Sequence, residues 1–311
     1  MMKFSITIPA FKAKFLKECI DSVLSQTYKN FEVIIVNDAS PEDLTSIVNQ
    51  YDDPRIRYFI NEKNCGAINV VDNWNKCLEY SAGDFIICMG DDDKLMPNCL
   101  EEYAQMIEKY PNIDAFHGRV IRIDDDSNVI DILEDRAEIE SVYSLMRHRF
   151  KSRQQYIGDF CYRTSKLKDL GGFYKLPMAW TSDDITAYMM TGTKGIANTN
   201  VATFMYRINA YTISRTGNCK IKIESLNQAG LWLESFLQQQ TPKTLEEKTE
   251  LNLLPNLMMK WLDAEKCSLI ADSYKSNLYS IFFWLKSKRK YGLNNKHIFK
   301  ALLLYFLSHK K

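Results

Sequence analysis

Short, almost wholly apolar runs alternate with amphipathic ones from residue 4 to residue 123. Phe4 to Pro9 is a β-rich run stopped by proline, and Lys14 to Ser25 then places Phe15, Cys19, Ile20, Val23 and Leu24 on one helical face. Phe31 to Val36 reads as a second strand, Asp43 to Tyr51 as a helix, Ile56 to Ile60 as a third strand and Ala67 to Tyr80 as a helix. Asp84 to Met89 makes a fourth strand, Asn98 to Tyr110 a helix, and Ala115 to Ile123 a further strand. Strands apolar on both faces that alternate with helices predict an α/β fold, with a mostly parallel central sheet covered on both sides. Ligands in such sheets bind beyond the carboxyl ends of the strands, which points to Pro9 to Phe11, Asn37 to Ser40 and Gly90 to Asp93. Beyond about residue 218 the pattern turns helical, with runs at Leu226 to Gln239, Glu246 to Trp261 (Pro255 as a kink) and Ser273 to Leu285. The expected organisation is an α/β catalytic domain over residues 1–217 and a helical region over 218–311.

Composition adds mainly exclusions. With 46% hydrophobic and 25% charged residues the chain is an ordinary globular one, and a formal net charge of +1 argues against a polycation acting on nucleic acid. The eight cysteines contain no C-x-x-C pair and read as free thiols in a reducing compartment, and four scattered histidines argue against a histidine-rich zinc site. No stretch of 18 apolar residues and no charged-then-apolar leader is found, which predicts a cytoplasmic protein. The phosphate loops of P-loop enzymes and dinucleotide dehydrogenases, and the nucleophile elbow of α/β-hydrolases, are not found either.

Two acidic triplets stand out. Asp91, Asp92 and Asp93 follow a buried strand, and their mutual repulsion makes such a cluster poor without a cation. Carboxylate oxygens suit Mg²⁺ or Mn²⁺, although a solvated, helix-capping turn has the same composition. Asp124, Asp125 and Asp126 also follow a strand, but Ser127-Asn128 and the alternating run from Val129 to Leu133 come next, so that triplet reads as a hairpin turn.

These motifs, in this order, resemble the family 2 glycosyltransferases of the GT-A fold. The resemblance is carried by Ser5-Ile-Thr-Ile-Pro-Ala-Phe11, Cys19-Ile-Asp-Ser-Val-Leu-Ser-Gln-Thr27, Phe31-Glu-Val-Ile-Ile-Val-Asn-Asp-Ala-Ser40 and Asn61-Glu-Lys-Asn-Cys-Gly66. It continues through Ala82-Gly-Asp-Phe-Ile-Ile87, Gly90-Asp-Asp-Asp93 with Pro97, Leu170-Gly-Gly-Phe173 and Ser182-Asp-Asp184. It implies a Rossmann-like GT-A domain, a nucleotide-diphosphate-sugar donor, Mn²⁺ or Mg²⁺, and inversion at the anomeric carbon. By the same match Pro9, Ala10 and Phe11 would line the nucleoside pocket and Asp38 would bind the base, typically uracil. Asp91 would face ribose and metal, Asp92 would be the direct metal ligand and Asp93 would support either. Asp184 is the expected general base, with Asp183 where the family commonly has Glu. By pattern alone Phe11 reads equally well as a strand-end core residue, and Asp183-Asp184 as a helix-capping pair.

The chain departs from the family in two places. Val70-Val-Asp-Asn73-Trp-Asn75 stands where many members carry an Ala-Arg-Asn element, leaving Lys12, Lys14, Arg207 or Arg215 to contact the diphosphate. Gly90 stands where the acidic motif usually begins with Asp. A nucleotidyltransferase would share the acidic cluster but needs a basic, glycine-rich loop that is missing. A non-catalytic relative that binds nucleotide sugar or glycan would keep the donor site and lose turnover.

The net charge conceals an asymmetry. Residues 273–311 hold nine Lys or Arg and no acidic residue, leaving 31 basic against 39 acidic residues in the rest. Ile281 to Leu285 and Ile298 to Leu307 are too short to span a bilayer, but with their basic flanks they suit an anionic membrane interface. A terminal helical pair packed on the catalytic domain fits the same pattern. The sequence therefore predicts a sugar-nucleotide donor, a glycan or lipid-linked acceptor, and a possible peripheral contact with the inner face of the membrane.

Overall fold

The computed structural model describes residues 2–209 and 218–308. In chain order the first elements are β1 (Phe4–Ala10), α1 (Leu16–Leu24), β2 (Phe31–Asn37), α2 (Leu44–Val48), β3 (Ile56–Ile60), α3 (Val70–Tyr80) and β4 (Phe85–Cys88). Next come β5 (Lys94–Leu95), α4 (Cys99–Lys109), β6 (Ala115–Ile123), β7 (Val129–Ile132), β8 (Ile139–Glu140) and α5 (Val142–Phe150). The α/β part ends with β9 (Phe160–Arg163), α6 (Thr164–Asp169), α7 (Ser182–Thr191) and β10 (Ile196–Arg207). Four helices follow: α8 (Cys219–Gln238), α9 (Leu245–Ser276), α10 (Ser280–Ser287) and α11 (Asn295–Ser308).

The sheet runs β3-β2-β1-β4-β9-β6-β10-β5, with β7 on β6 and β8 on β10. Its first half is parallel, Phe4 of β1 standing beside Phe31 of β2 and Phe85 of β4. The second half is mixed, because β9 enters antiparallel between β4 and β6 while β6 and β10 run parallel. The inner strands of the parallel half are buried, every residue of β2 and β4 among them, whereas the edge strand β3 is half-buried and ends on the exposed Ile60. The second acidic triplet is the hairpin turn its spacing predicts: Asp124 Oδ1 accepts the backbone N–H of Asp126 (2.9 Å) and of Asn128 (2.8 Å).

The C-terminal helices differ from the sequence reading in their breaks. α9 runs through Pro255 to Ser276, so proline does not end it. The chain breaks instead at Asn277, whose side chain accepts the N–H of Tyr279 at 2.9 Å and starts the next turn, splitting the run from Ser273 to Leu285. One apolar core joins Val71, Trp74 and Tyr188 of the α/β part to Trp261, Ile270, Trp284 and Ile298 of these helices. All eight cysteines are free.

Candidate active site

The carboxyl ends of β1, β2 and β4 open on one edge of the sheet, and the loops leaving them brace one another. Asp38, just past β2, donates its backbone N–H to the Ala10 carbonyl (2.9 Å). Its Oδ1 accepts from Asn61 Nδ2 (2.8 Å) and from the Cys65 backbone N–H (2.9 Å). Asn61 also donates to Asn73 Oδ1 (2.9 Å) and accepts from Lys76 Nζ (3.0 Å), while Asn73 Nδ2 donates to the Val36 carbonyl (3.1 Å). Asn73 and Lys76, one turn apart on α3, thus belong to the Asp38 network, although sequence reasoning singled out neither for a site role. The legible signal was their spacing, which puts both on one helix face.

Asp91 closes the other side of the loop after β1. Its Oδ2 accepts the backbone N–H groups of Phe11 (2.6 Å) and Lys12 (2.7 Å), so Pro9, Ala10, Phe11, Asp38 and Asp91 meet at one sheet edge. Phe11 is 39% exposed, which excludes the strand-end core reading, whereas Ala10 is buried and Pro9 half-buried.

Within the triplet the three carboxylates differ. Asp91 and Asp93 are buried and Asp92 is partly exposed. Burial and the Asp92 charge push Asp91 up to about 6 and raise Asp93 well above the usual carboxylate range. Asp93 Oδ1 accepts the Arg207 backbone N–H (2.9 Å), and Asp92 Oδ2 accepts from Asn209 Nδ2 (2.6 Å). Gly90 has a steric reason: a Cβ there would lie 2.8 Å from Asp92 Oδ1 and 2.9 Å from Asp93 Oδ2. Crowded carboxylates, with Asp91 and Asp93 raised in proton affinity, are donors of the kind a divalent cation takes. Among the described residues no three His, Cys, Asp or Glu side chains close on one point. That donor set suits Mg²⁺ or Mn²⁺, which complete their shells with water and phosphate oxygens.

Arg207 is not available for a diphosphate. It is fully buried over the Phe15 ring, and its Nε donates to the Asp92 carbonyl (2.8 Å). Nη1 donates to the carbonyls of Asp124 (2.8 Å) and Asp125 (3.0 Å), and Nη2 to Glu18 Oε2 (3.0 Å) and Ser127 Oγ (3.1 Å). It therefore clamps the hairpin turn to the first triplet, and that clamp consumes every N–H it has. Lys14 pairs with Asp125 at 2.7 Å, Lys12 acts electrostatically on Asp91, and Arg215 lies outside the described residues.

The acidic pair opens α7. Asp184 is 2% exposed, and its Oδ1 accepts from Arg149 Nε (2.8 Å) and Gln155 Nε2 (2.7 Å), while Oδ2 has no partner. Asp183 is partly exposed, and burial with the Asp184 charge pushes it up to about 7. Arg149 packs over Trp261 of α9, so the helical region backs the pair. Met178, Ala179 and Thr181 just before it have φ of 60°, 53° and 70°, left-handed values that non-glycine residues adopt at a cost. Arg149 and Gln155 escaped sequence reasoning because nothing in their spacing ties them to Asp184. Gly172, φ 93°, lies so close to Asn75 that a Cβ would meet its Oδ1 at 2.4 Å. Asn75 holds Phe173 through both backbone groups (3.1 and 2.8 Å), which gives the Gly-Gly-Phe turn its place against α3.

The family model for "Glycosyl transferase family 2" matches residues 5–170, more than half of the chain. The chain belongs to glycosyl transferase family 2. The matched stretch holds Asp38 and the first triplet, and the acidic pair lies beyond it. A relative from Campylobacter jejuni, described as a GalNAc(5)-diNAcBac-PP-undecaprenol beta-1,3-glucosyltransferase, is 33% identical over 150 residues. That alignment covers 43% of this chain and 48% of the relative, so the chain spans about half the length of the curated protein it matches. The crystal structure of Staphylococcus aureus TarS 1–349 in complex with UDP-GlcNAc superimposes with a TM-score of 0.68 at 15% identity, covering 99% of this chain and 92% of that one. The mannosyltransferase PcManGT of Pyrobaculum calidifontis, in complex with GDP-Man and Mn²⁺, gives a TM-score of 0.56 at 14% identity, covering 97% of this chain and 86% of that one. The family match and these superpositions show the GT-A fold with a set of helices at its C-terminal end.

Proposed function

We propose that this family 2 glycosyltransferase transfers one sugar, with inversion, from a uridine-diphosphate sugar to a hydroxyl of a glycan or lipid-linked acceptor in bacterial surface-polysaccharide assembly. The observation that carries the reading is the meeting of Asp38, Asp91 and the Pro9–Phe11 loop at the carboxyl edge of the parallel strands, beside the one partly exposed carboxylate of the triplet, Asp92. The UDP-GlcNAc bound by TarS and the lipid-diphosphate acceptor in the name of the Campylobacter relative support the donor and acceptor classes.

In this reading Pro9, Ala10 and Phe11 hold the nucleoside, Asp38 binds the base and Asp91 positions the loop against the ribose. Asp92 would hold Mn²⁺ or Mg²⁺, with Asp91 and Asp93 behind it, and the bound ion would supply charge neutralisation at the diphosphate. The acceptor oxygen forms its bond to the anomeric carbon as the bond from that carbon to the diphosphate oxygen breaks, its electron pair leaving with the nucleoside diphosphate. The hydroxyl proton passes to Asp184 Oδ2, the unpartnered oxygen, while Arg149 and Gln155 fix the other. Asp183 shares the charge of the pair. The residues 1–217 would form the catalytic unit, with residues 218–311 supporting the acidic pair through Trp261.

The test is a thermal-shift panel of UDP-, GDP- and dTDP-sugars with Mn²⁺. A ligand at 100 times its Kd stabilises by about 2.7 kcal/mol, so at least one UDP-sugar is expected to raise the midpoint by several degrees. No rise with any UDP-sugar, or equal rises with all three classes, contradicts the assignment.

A further inference from the structure

Beyond the donor site, unpaired buried polar atoms gather on one side of Asp184. Arg136 Nη1, Arg153 Nε, Asp159 Oδ1 and both ring nitrogens of His117 have no hydrogen-bond partner, and all four residues are more than nine-tenths buried. Such atoms are costly unless something satisfies them. Arg136 and Arg153 line a cavity of about 340 Å³ bounded by β6, the segment 131–134 and the segment 151–154. Its charged walls carry Arg119, Arg136, Lys151 and Arg153 against only Asp131 and Glu134, with His117 neutral because burial holds its pKa well down.

Part of that charge is already matched. Arg119 pairs with Asp135 (2.8 Å), Asp131 pairs with Arg122, and Arg153 spends its terminal nitrogens on Glu140 (2.7 and 2.6 Å). Among the described residues Arg136 and Lys151 form no ion pair, and Lys151 is exposed at the rim. A larger cavity of about 530 Å³ shares Arg136 and Arg153 as a wall, but Glu246, Glu247 and Glu250 line it and disfavour an anion there. The smaller cavity is linked to the proposed base through the chain. Arg149 and Gln155 hold Asp184, and the residues between them, Lys151 to Gln154, form the cavity wall.

We propose that this cavity is an acceptor subsite for a phosphoryl group, met by Lys151 Nζ at the rim and by the guanidinium groups of Arg136 and Arg153 in the wall. The inference rests on the transfer reaction proposed above and names the chemistry its acceptor carries. A phosphoryl oxyanion presents acceptors in several directions and satisfies N–H groups that arrive from separate elements, which a planar backbone amide cannot do. Asp131 and Glu134 at the same wall suit the hydroxyls of the attached glycan. The group can come from the diphosphate of a lipid carrier or from a phosphodiester within the acceptor polymer.

The experiment is calorimetric titration of the full chain, with its donor site saturated by UDP and Mg²⁺, using geranyl diphosphate and glycerophosphoglycerol as probes. Saturable binding of one probe is expected: the diphosphate if the lipid carrier is the source, the phosphodiester if the polymer is. Lys151→Glu, an exposed change, should weaken that binding about tenfold, and Arg136→Gln should weaken it at least as much, because each removes a charge-assisted contact. UDP affinity should stay at the wild-type value in Lys151→Glu. No saturable binding of either probe, or wild-type affinity in Lys151→Glu, overturns the subsite. Failure of wild-type protein to bind UDP would instead overturn the donor assignment.

Discussion

In the proposed transfer Asp184 is the base. One oxygen is fixed by Arg149 and Gln155 and the other is left without a partner, so orientation is set before an acceptor arrives. Replacing it with Asn keeps the shape and removes the basicity. General-base work is typically worth about 10²- to 10⁴-fold, and a loss of transfer in that range is expected for Asp184→Asn with UDP binding intact. Full turnover in that variant would dismiss the role. The neighbouring Asp183 is raised to about 7, by burial first and then by the Asp184 charge. Protonation of Asp183 as pH falls through about 7 changes the charge beside the proposed base, so kcat/KM should change across that range in the wild type and lose that step in Asp183→Asn. The same step kept in Asp183→Asn would exclude Asp183 from the reaction. The positions of these carboxylates are legible in the sequence. The order of short motifs led to Asp38, the triplet and the pair, because each sits in a strand-end or helix-start context that leaves a trace in the chain. The partners were not legible: Arg149 lies 35 positions before Asp184 and Arg207 lies 114 after Asp93, distances over which no periodicity carries.

At the level of elements, the alternating apolar runs located the strands closely, β3 and β6 with the same ends, and β2, buried throughout, leaves the most continuous apolar signature. The insertion of β9 between β4 and β6 left no such trace, since strand order is decided by tertiary packing. The terminal helix α11 buries Ile298 and Ala301 and turns Phe299, Leu303, Phe306 and Leu307 outward. Phe299, Leu303 and Leu307 share one face, and Lys296 and Lys300 lie along the same helix. Among the described residues no helix is long and apolar enough to cross a membrane. An apolar stripe with basic flanks instead suits binding in the plane of an anionic membrane surface. Full-length protein is therefore expected to float with vesicles containing phosphatidylglycerol and not with purely zwitterionic ones, and Phe299→Glu with Leu303→Glu should abolish flotation. Flotation unchanged by the double substitution would remove α11 from the contact.

At the scale of the molecule, the acidic body and the basic tail are parts of one packed structure. Trp284, Tyr291 and Ile298 of the tail are buried in the core that also contains Trp74 and Tyr188, and Trp261 of α9 supports the arginine that holds Asp184. Cutting the tail would thus disturb the proposed base as well as remove the exposed face of α11, which is why point substitutions on that face are the sharper probe. The same architecture puts the two acidic sites on different supports: the triplet on the parallel strands and the Arg207 clamp, the pair on α7 and the C-terminal helices. The proposed function requires that the first of these sites hold a nucleotide diphosphate through a divalent cation. Calorimetric titration of UDP into the full-length protein, with and without Mn²⁺, tests that requirement most directly. The expected result is binding at least about tenfold tighter with Mn²⁺ in the wild type, with the difference lost in Asp92→Asn. Equal UDP affinity with and without Mn²⁺, or an Asp92→Asn variant that keeps the full metal effect, would contradict it.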